Sequence, residues 1–149
     1  MTTSIETVRV IDEQLTSLFH HGLGELREHR GGPALIKEIL GNASASPDAG
    51  LSGLVAQGCV TAAYDNGILR GFAILSPTSP LTIRALFVRA QDRRQGWGRT
   101  LLETLLKREN PPVDAWSLPG DRAMKSIYER AGWKARLLTM SGEPRSDDA

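Results

Sequence analysis

Residues Leu81 to Arg108, LTIRALFVRAQDRRQGWGRTLLETLLKR, pass from strand to turn to helix within one stretch. Leu81 to Arg89 is rich in β-branched and large apolar residues, the pattern of a buried strand. Polar and basic Gln91 to Gln95 break that run, Gly96 and Gly98 give the backbone freedom, and from Arg99 the period changes to that of a helix. Leu101, Leu102, Leu105 and Leu106 then share one face, Lys107 and Arg108 stand where the helix dipole favours cations, and Pro111-Pro112 prevents continuation.

A glycine turn feeding a helix gathers unpaired N–H groups and a partial positive charge at one point, which suits an anion. A Cβ at Gly96 or Gly98 would hold a phosphate off the backbone, and Arg89, Arg93, Arg94 and Arg99 surround the turn with positive charge. A tight connection with a solvated arginine surface reads the same way, so spacing must sort the ligands. A dinucleotide fingerprint would want a third glycine at position 101, which is leucine. A P-loop would want Gly-Lys-Ser/Thr where Gly98-Arg99-Thr100 stands. Both are disfavoured.

Arg93-Arg94-Gln95-Gly96-Trp97-Gly98 resembles the central signature of the GNAT superfamily of N-acetyltransferases, Gln/Arg-x-x-Gly-x-Gly/Ala at a strand-to-helix junction. The resemblance implies that acetyl-CoA is the cosubstrate. Its pantetheine arm would run beside the main chain of Leu86, Phe87 and Val88, and its pyrophosphate would meet Arg94, Gln95, Gly96, Trp97, Gly98 and Arg99.

The rest of the chain reads in the same order as that family. Ile5 to Ile11 is a short strand, Asp12 caps a helix with Leu15, Leu18, Phe19, Leu23 and Leu26 on one side, and Gly22 and Gly24 invite a bend or an early end. Gly31-Gly32-Pro33 leads to a second helix to Leu40, and Gly41 to Gly50 reads as a flexible loop. Strands Gln57 to Tyr64 and Ile68 to Leu75 flank Asp65-Asn66-Gly67, a strong hairpin signal. A fifth strand over Val113 to Leu118 precedes a helix capped by Asp121 and ended by Gly132, and Lys134 to Met140 is a last strand. The expected fold is a mixed α/β sheet, GNAT-like and mostly antiparallel, of six to seven strands with about four helices. It fills one domain over residues 1–140, followed by a polar, flexible tail over 141–149. In that fold the fourth and fifth strands splay apart and the cofactor enters the opening.

Ala123 to Trp133, AMKSIYERAGW, resembles the family's second signature, a helix carrying a tyrosine shortly before Gly-Phe. Tyr128 takes the tyrosine position and Trp133 replaces phenylalanine. When an amine attacks the thioester carbonyl, a thiolate leaves, and a nearby phenol can protonate it. With reference pKa values of about 8.5 for a thiol and about 10 for tyrosine, that transfer costs only about 2 kcal/mol. A tyrosine beside Met124 and Ile127 can equally be a core residue with a bonded hydroxyl. Two departures from the pattern matter. Asp121 stands near a cofactor-binding asparagine of the family, and the fourth strand lacks the carboxylate that would deprotonate the amine. The general base is therefore unassigned, with His20, His21, Glu25 and His29 on the first helix and Asp114 on the fifth strand as the nearest titratable groups.

Composition bounds the alternatives. At 149 residues, 40% hydrophobic and 23% charged, the chain is of ordinary domain size. A net charge of +1 and an aromatic content of 5% argue against a nucleic-acid binder, although the arginine cluster could hold one. Cys59 alone rules out an internal disulfide or a cysteine-rich zinc site, no metal is expected, and a reducing cytoplasm is the natural compartment. No export signal and no membrane span is read in the sequence. The expected activity is N-acetyl transfer from acetyl-CoA to a primary amine, on a small molecule or a protein, with a homodimer allowed by the resemblance. The alternative is a non-catalytic acyl-CoA-binding or regulatory domain.

Overall fold

A computed structural model describes residues 2–41, 46–78, 80–109, 112–140, 142 and 144. In chain order the elements are β1 (Thr3–Thr7), α1 (Glu13–Arg27), α2 (Gly32–Leu40), α3 (Pro47–Ala56), β2 (Val60–Asp65), β3 (Ile68–Leu75), β4 (Thr82–Val88), a 3-10 turn (Ala90–Asp92), α4 (Trp97–Arg108), β5 (Asp114–Ala115) and α5 (Arg122–Arg130). The five strands form one sheet in the order β1-β2-β3-β4-β5, antiparallel up to β4 and parallel between β4 and β5.

The sheet separates two apolar layers. Leu15, Phe19, Leu23, Ile36, Ile39, Leu51 and Leu54 of α1–α3 pack on Ala62, Leu69, Phe72, Ala85 and Phe87. On the other face, Leu101, Leu102, Leu105, Met124 and Tyr128 of α4 and α5 pack on Ala63, Ala73, Ile83 and Leu86. From Ala85 to Phe87 successive residues of β4 look to opposite cores, as the pleat requires.

Where the expected elements shifted, packing or pairing explains it. The first strand ends at Thr7 rather than Ile11, although Val8 N still donates to Val60 O at 2.8 Å. Helix α1 runs unbroken through Gly22 and Gly24. Gly22 lets the helix approach the sheet, since a Cβ there would stand 2.6 Å from Phe87 ring carbons. The stretch read as a loop over Gly41 to Gly50 contains the start of α3, where the Ser46 hydroxyl accepts from Ala49 N at 3.1 Å and Pro47 opens the first turn. The remainder of that loop, residues 42–45, lies outside the described residues. The second strand starts at Val60 rather than Gln57, because Gln57 N still donates to Gly53 O and Gly58 adopts a φ of +72°.

The hairpin turn forms as the Asn-Gly pair demands, with φ of 50° at Asn66 and 79° at Gly67. The fifth strand shrinks from the expected six residues to Asp114–Ala115, and the expected last strand over Lys134 to Met140 does not form. An alternating sequence becomes a strand only against a partner, and Lys134 to Met140 has no ladder partner among the described residues. Leu137 and Met140 are 89% and 81% exposed there. Among the described residues the fold therefore has five strands and five helices instead of six to seven and about four. The expected tail from residue 141 lies almost wholly outside the described residues.

Candidate functional site

The site begins where β4 loses its neighbour. β5 pairs with β4 only at Thr82↔Asp114 and Ile83↔Ala115, and Trp116 N adds a bond to Ile83 O at 2.9 Å. Beyond Ile83, β4 continues to Val88 against β3 alone, so one edge of Ala85 to Val88 is open. The side chains of Leu86, Phe87 and Val88 are buried, Leu86 in the α4–α5 core and Phe87 in the α1–α3 core. What these residues offer a ligand is main chain.

At the end of this edge the chain turns into α4. Gly96, at the N-cap, has a φ of +88°, and nothing lies within 4 Å of where its Cβ would be. The first helical bond runs from Thr100 N to Gly96 O at 2.9 Å. The N–H groups of Trp97, Gly98 and Arg99 therefore have no intrahelical acceptor, and the dipole adds its positive end. Gly98 also serves packing. A Cβ there would meet Ile127 Cγ2 at 3.0 Å and Leu86 Cδ2 at 3.6 Å, so the glycine seats α5 against β4 and α4.

The four arginines do not act as one cluster. Arg93 Nε donates to Val88 O at 3.0 Å, and Arg93 Nη2 donates to both Glu25 carboxylate oxygens at 2.7 and 2.8 Å, tying α1 to the turn. Arg89 donates to Leu69 O and lies 3.6 Å from Asp92, whose carboxylate also accepts from Arg70 at 2.8 Å. Arg99 pairs with Glu103 at 2.9 Å on an exposed face, a contact worth only a few tenths of a kcal/mol. Arg94, exposed at φ +66°, has no carboxylate partner among the described residues. The positive charge left for a ligand is thus mainly that of Arg94, the helix end and Arg99.

Tyr128 sits in the core between α4 and α5 at 6% exposure, and its hydroxyl has no hydrogen-bond partner among the described residues. Burial first, and then the Asp121 carboxylate, push its phenol well above the ordinary tyrosine range. The Trp133 ring lies against it at 5.6 Å. Trp97 Nε1 is a second buried donor on this side of the sheet with no partner among the described residues. Asp121 caps α5 as expected, accepting from Met124 N at 3.1 Å.

The candidate bases expected on the first helix divide, His29 falling just past the end of α1. His20 meets Asp48 at 2.6 Å, His21 meets Glu25 at 3.2 Å, and Glu25 is committed to Arg93. His29 alone approaches α5, 3.9 Å from Asp121. Asp114 lies at the closed end of the β4–β5 pair. Sequence reading missed Arg84 and Trp116, whose guanidinium and ring meet at the closed end of the splay with 5.6 Å between them. It also missed the Arg93–Glu25 tie. Neither leaves a local signal, since the partners are far apart in the chain.

The acetyltransferase (GNAT) domain family matches residues 56–135, more than half of the chain. The chain belongs to the GNAT family of acetyltransferases. The matched segment holds the hairpin, β4, the turn, α4, β5 and α5, the elements that build the splayed edge. Solved structures agree on the fold. The PaiA N-acetyltransferase from Thermoplasma acidophilum in complex with coenzyme A is 16% identical over 93% of this chain and 94% of its own, with a TM-score of 0.70. The ribosomal-protein-S18-alanine N-acetyltransferase from Escherichia coli is 19% identical over 98% and 86%, with a TM-score of 0.59. No curated protein matches the sequence. Among the described residues of this GNAT chain, no helix is long and apolar enough to cross a membrane.

Proposed function

We propose that this chain transfers the acetyl group of acetyl-CoA to a primary amine, residues 1–140 acting as one transferase domain. The observation that carries the reading is the open β4 edge running into a turn whose first helical N–H groups have no intrahelical acceptor, on a sheet whose α4–α5 core buries the Tyr128 hydroxyl with no partner among the described residues. The first suits an amide-bearing arm, the second a pyrophosphate, and the third a departing thiolate. Coenzyme A in the Thermoplasma acidophilum neighbour supports the same assignment.

In this reading the main chain of Leu86, Phe87 and Val88 aligns the arm, and the turn from Arg94 to Arg99 holds the pyrophosphate. The amine nitrogen bonds to the acyl carbon, the C–S bond breaks, Tyr128 protonates the sulfur, and the proton that the nitrogen gives up passes to solvent water, from which Tyr128 regains its own. Backbone N–H groups near the open edge stabilise the oxyanion. Burial keeps Tyr128 a phenol throughout the neutral range and also makes its proton harder to give up, so the transfer to sulfur costs more than the about 2 kcal/mol of an ordinary tyrosine and a thiol. A non-catalytic acyl-CoA-binding domain would use the same edge but would have no use for an unbonded buried hydroxyl.

Thermal unfolding with acetyl-CoA tests the binding half. Ligand at 100 times its dissociation constant adds about 2.7 kcal/mol, which at roughly 2–4 °C per kcal/mol raises the midpoint by about 5–11 °C. Adenosine alone should give no such rise. No shift at any reachable acetyl-CoA concentration defeats the proposal. Thiol release in the presence of amines then separates a transferase from a binding domain.

A further inference from the structure

The acceptor side of the splay carries a feature that the acetyl-CoA reading does not use. Ile83 stands opposite Leu75 and Ala85 opposite Ile74, so Arg84 bulges out between them with no partner of its own on β3. Ile83 faces the α4–α5 core while Ala85 faces the α1–α3 core. Arg84 falls on the α2 side, where its Nη2 lies 3.6 Å from Glu38 Oε1 and its Nη1 donates to Glu38 O at 3.5 Å. It is also the first β4 residue past the last β5 pair, and its guanidinium lies over the Trp116 ring at 5.6 Å. The vertex of the splay is thus walled by a cation and an indole, on the face opposite Tyr128.

This guanidinium is poorly satisfied. Its Nε is buried without a partner among the described residues, and both Glu38 contacts lie at the long limit of hydrogen bonding. The side chain is only 18% exposed, whereas Glu38 is 57% exposed and can swing into water at little cost. Trp116, itself 40% exposed, lies over one face of the guanidinium. A planar fork of N–H donors, desolvated and half-used, matches a carboxylate. β4 itself carries no carboxylate to welcome a polycation, and the Glu38 carboxylate at this place is paired with Arg84.

We infer that the acceptor amine also bears a carboxylate, gripped by Arg84 against Trp116, so that the acceptor class is an amino acid rather than a polyamine or an amino sugar. The inference rests on acetyl transfer being the reaction. The bland alternative is a clamp between β4 and α2, in which Arg84 and Glu38 serve only each other.

The test uses the whole chain with saturating acetyl-CoA and a panel of free amino acids, each paired with its own carboxamide, read by release of the CoA thiol. The free acids should exceed their amides in kcat/KM by about ten- to a hundredfold, the size of a hydrogen bond to a charged group. Arg84→Gln should erase that preference, chiefly through KM, and leave the acetyl-CoA thermal shift intact. Arg84→Lys, which keeps the charge without the fork, should retain part of it. Amides turned over as well as acids, a preference that survives Arg84→Gln, or no acid acetylated by a protein that acetyl-CoA stabilises would each overturn the assignment. Absence of the acetyl-CoA shift itself would instead remove the transferase reading beneath it.

Discussion

Tyr128→Phe should lower kcat by roughly 10²–10⁴-fold, the usual worth of a positioned acid, while acetyl-CoA affinity stays nearly unchanged. The same substitution should leave the unfolding midpoint unchanged or raise it. The hydroxyl is buried without a partner among the described residues, so removing it deletes a desolvated polar group and none of the hydrogen bonds described. Loss of turnover without loss of stability is the signature of a group kept for chemistry rather than for packing. The pH dependence follows from the same burial. The folded chain holds the phenolic proton more tightly than the unfolded chain, so this contribution to stability is fully present below about pH 10 and is lost as pH rises through the folded value. Denaturation titrations at alkaline pH should show that limb in the parent and not in Tyr128→Phe. Turnover that survives the substitution would take Tyr128 out of the mechanism.

Gly32→Ala should cost about 3 kcal/mol or more, a drop of roughly 6–12 °C in Tm for a chain of this size. A Cβ there would overlap the carbonyl oxygen of Leu26 and stand 2.7 Å from the Leu26 carbonyl carbon and 3.3 Å from Arg27 Cα. These are backbone atoms, so no rotamer change relieves the clash, and the α1–α2 junction must open. The junction also carries His29 toward Asp121 and places Gly31 within 3.5 Å of Leu118, measured from its would-be Cβ. Gly24→Ala is the matched control. Nothing lies within 4 Å of its Cβ position inside α1, so it should stabilise by up to about 1 kcal/mol. Equal midpoints for the two variants would show that the junction is looser than described.

The parts of the fold that could be read from sequence are those with a local cause. Asn66-Gly67 specifies its own turn, Asp121 its own helix start, and the change of period after Gly98 marks α4 without reference to any other part of the chain. The missed parts depend on partners. Helix α3 is short and needs Leu40 packed against Gly50, while Lys134 to Met140 needs a ladder that β5 is too short to offer. At the site, the turn follows from the glycine motif, and the open edge is what the family resemblance implies. The division of labour among the arginines does not. Arg93, Arg94 and Arg99 look alike in sequence, and only the positions of Val88, Glu25 and Glu103 distinguish them. Arg84 was passed over because its role comes from a bulge, which an apolar strand sequence does not announce.

The order of strands also bears on how the sheet assembles. From β2 to β4 spatial neighbours are sequence neighbours, whereas β1 reaches β2 across three helices. Closing the β2–β3 turn restrains few residues, and the long β1–β2 loop adds its entropy only after a template exists. The hypothesis is that the transition state centres on the hairpin around Asn66, with the edges consolidating later. Folding rates insensitive to truncation of Leu69 or Phe72, with all the effect in unfolding, would refute it.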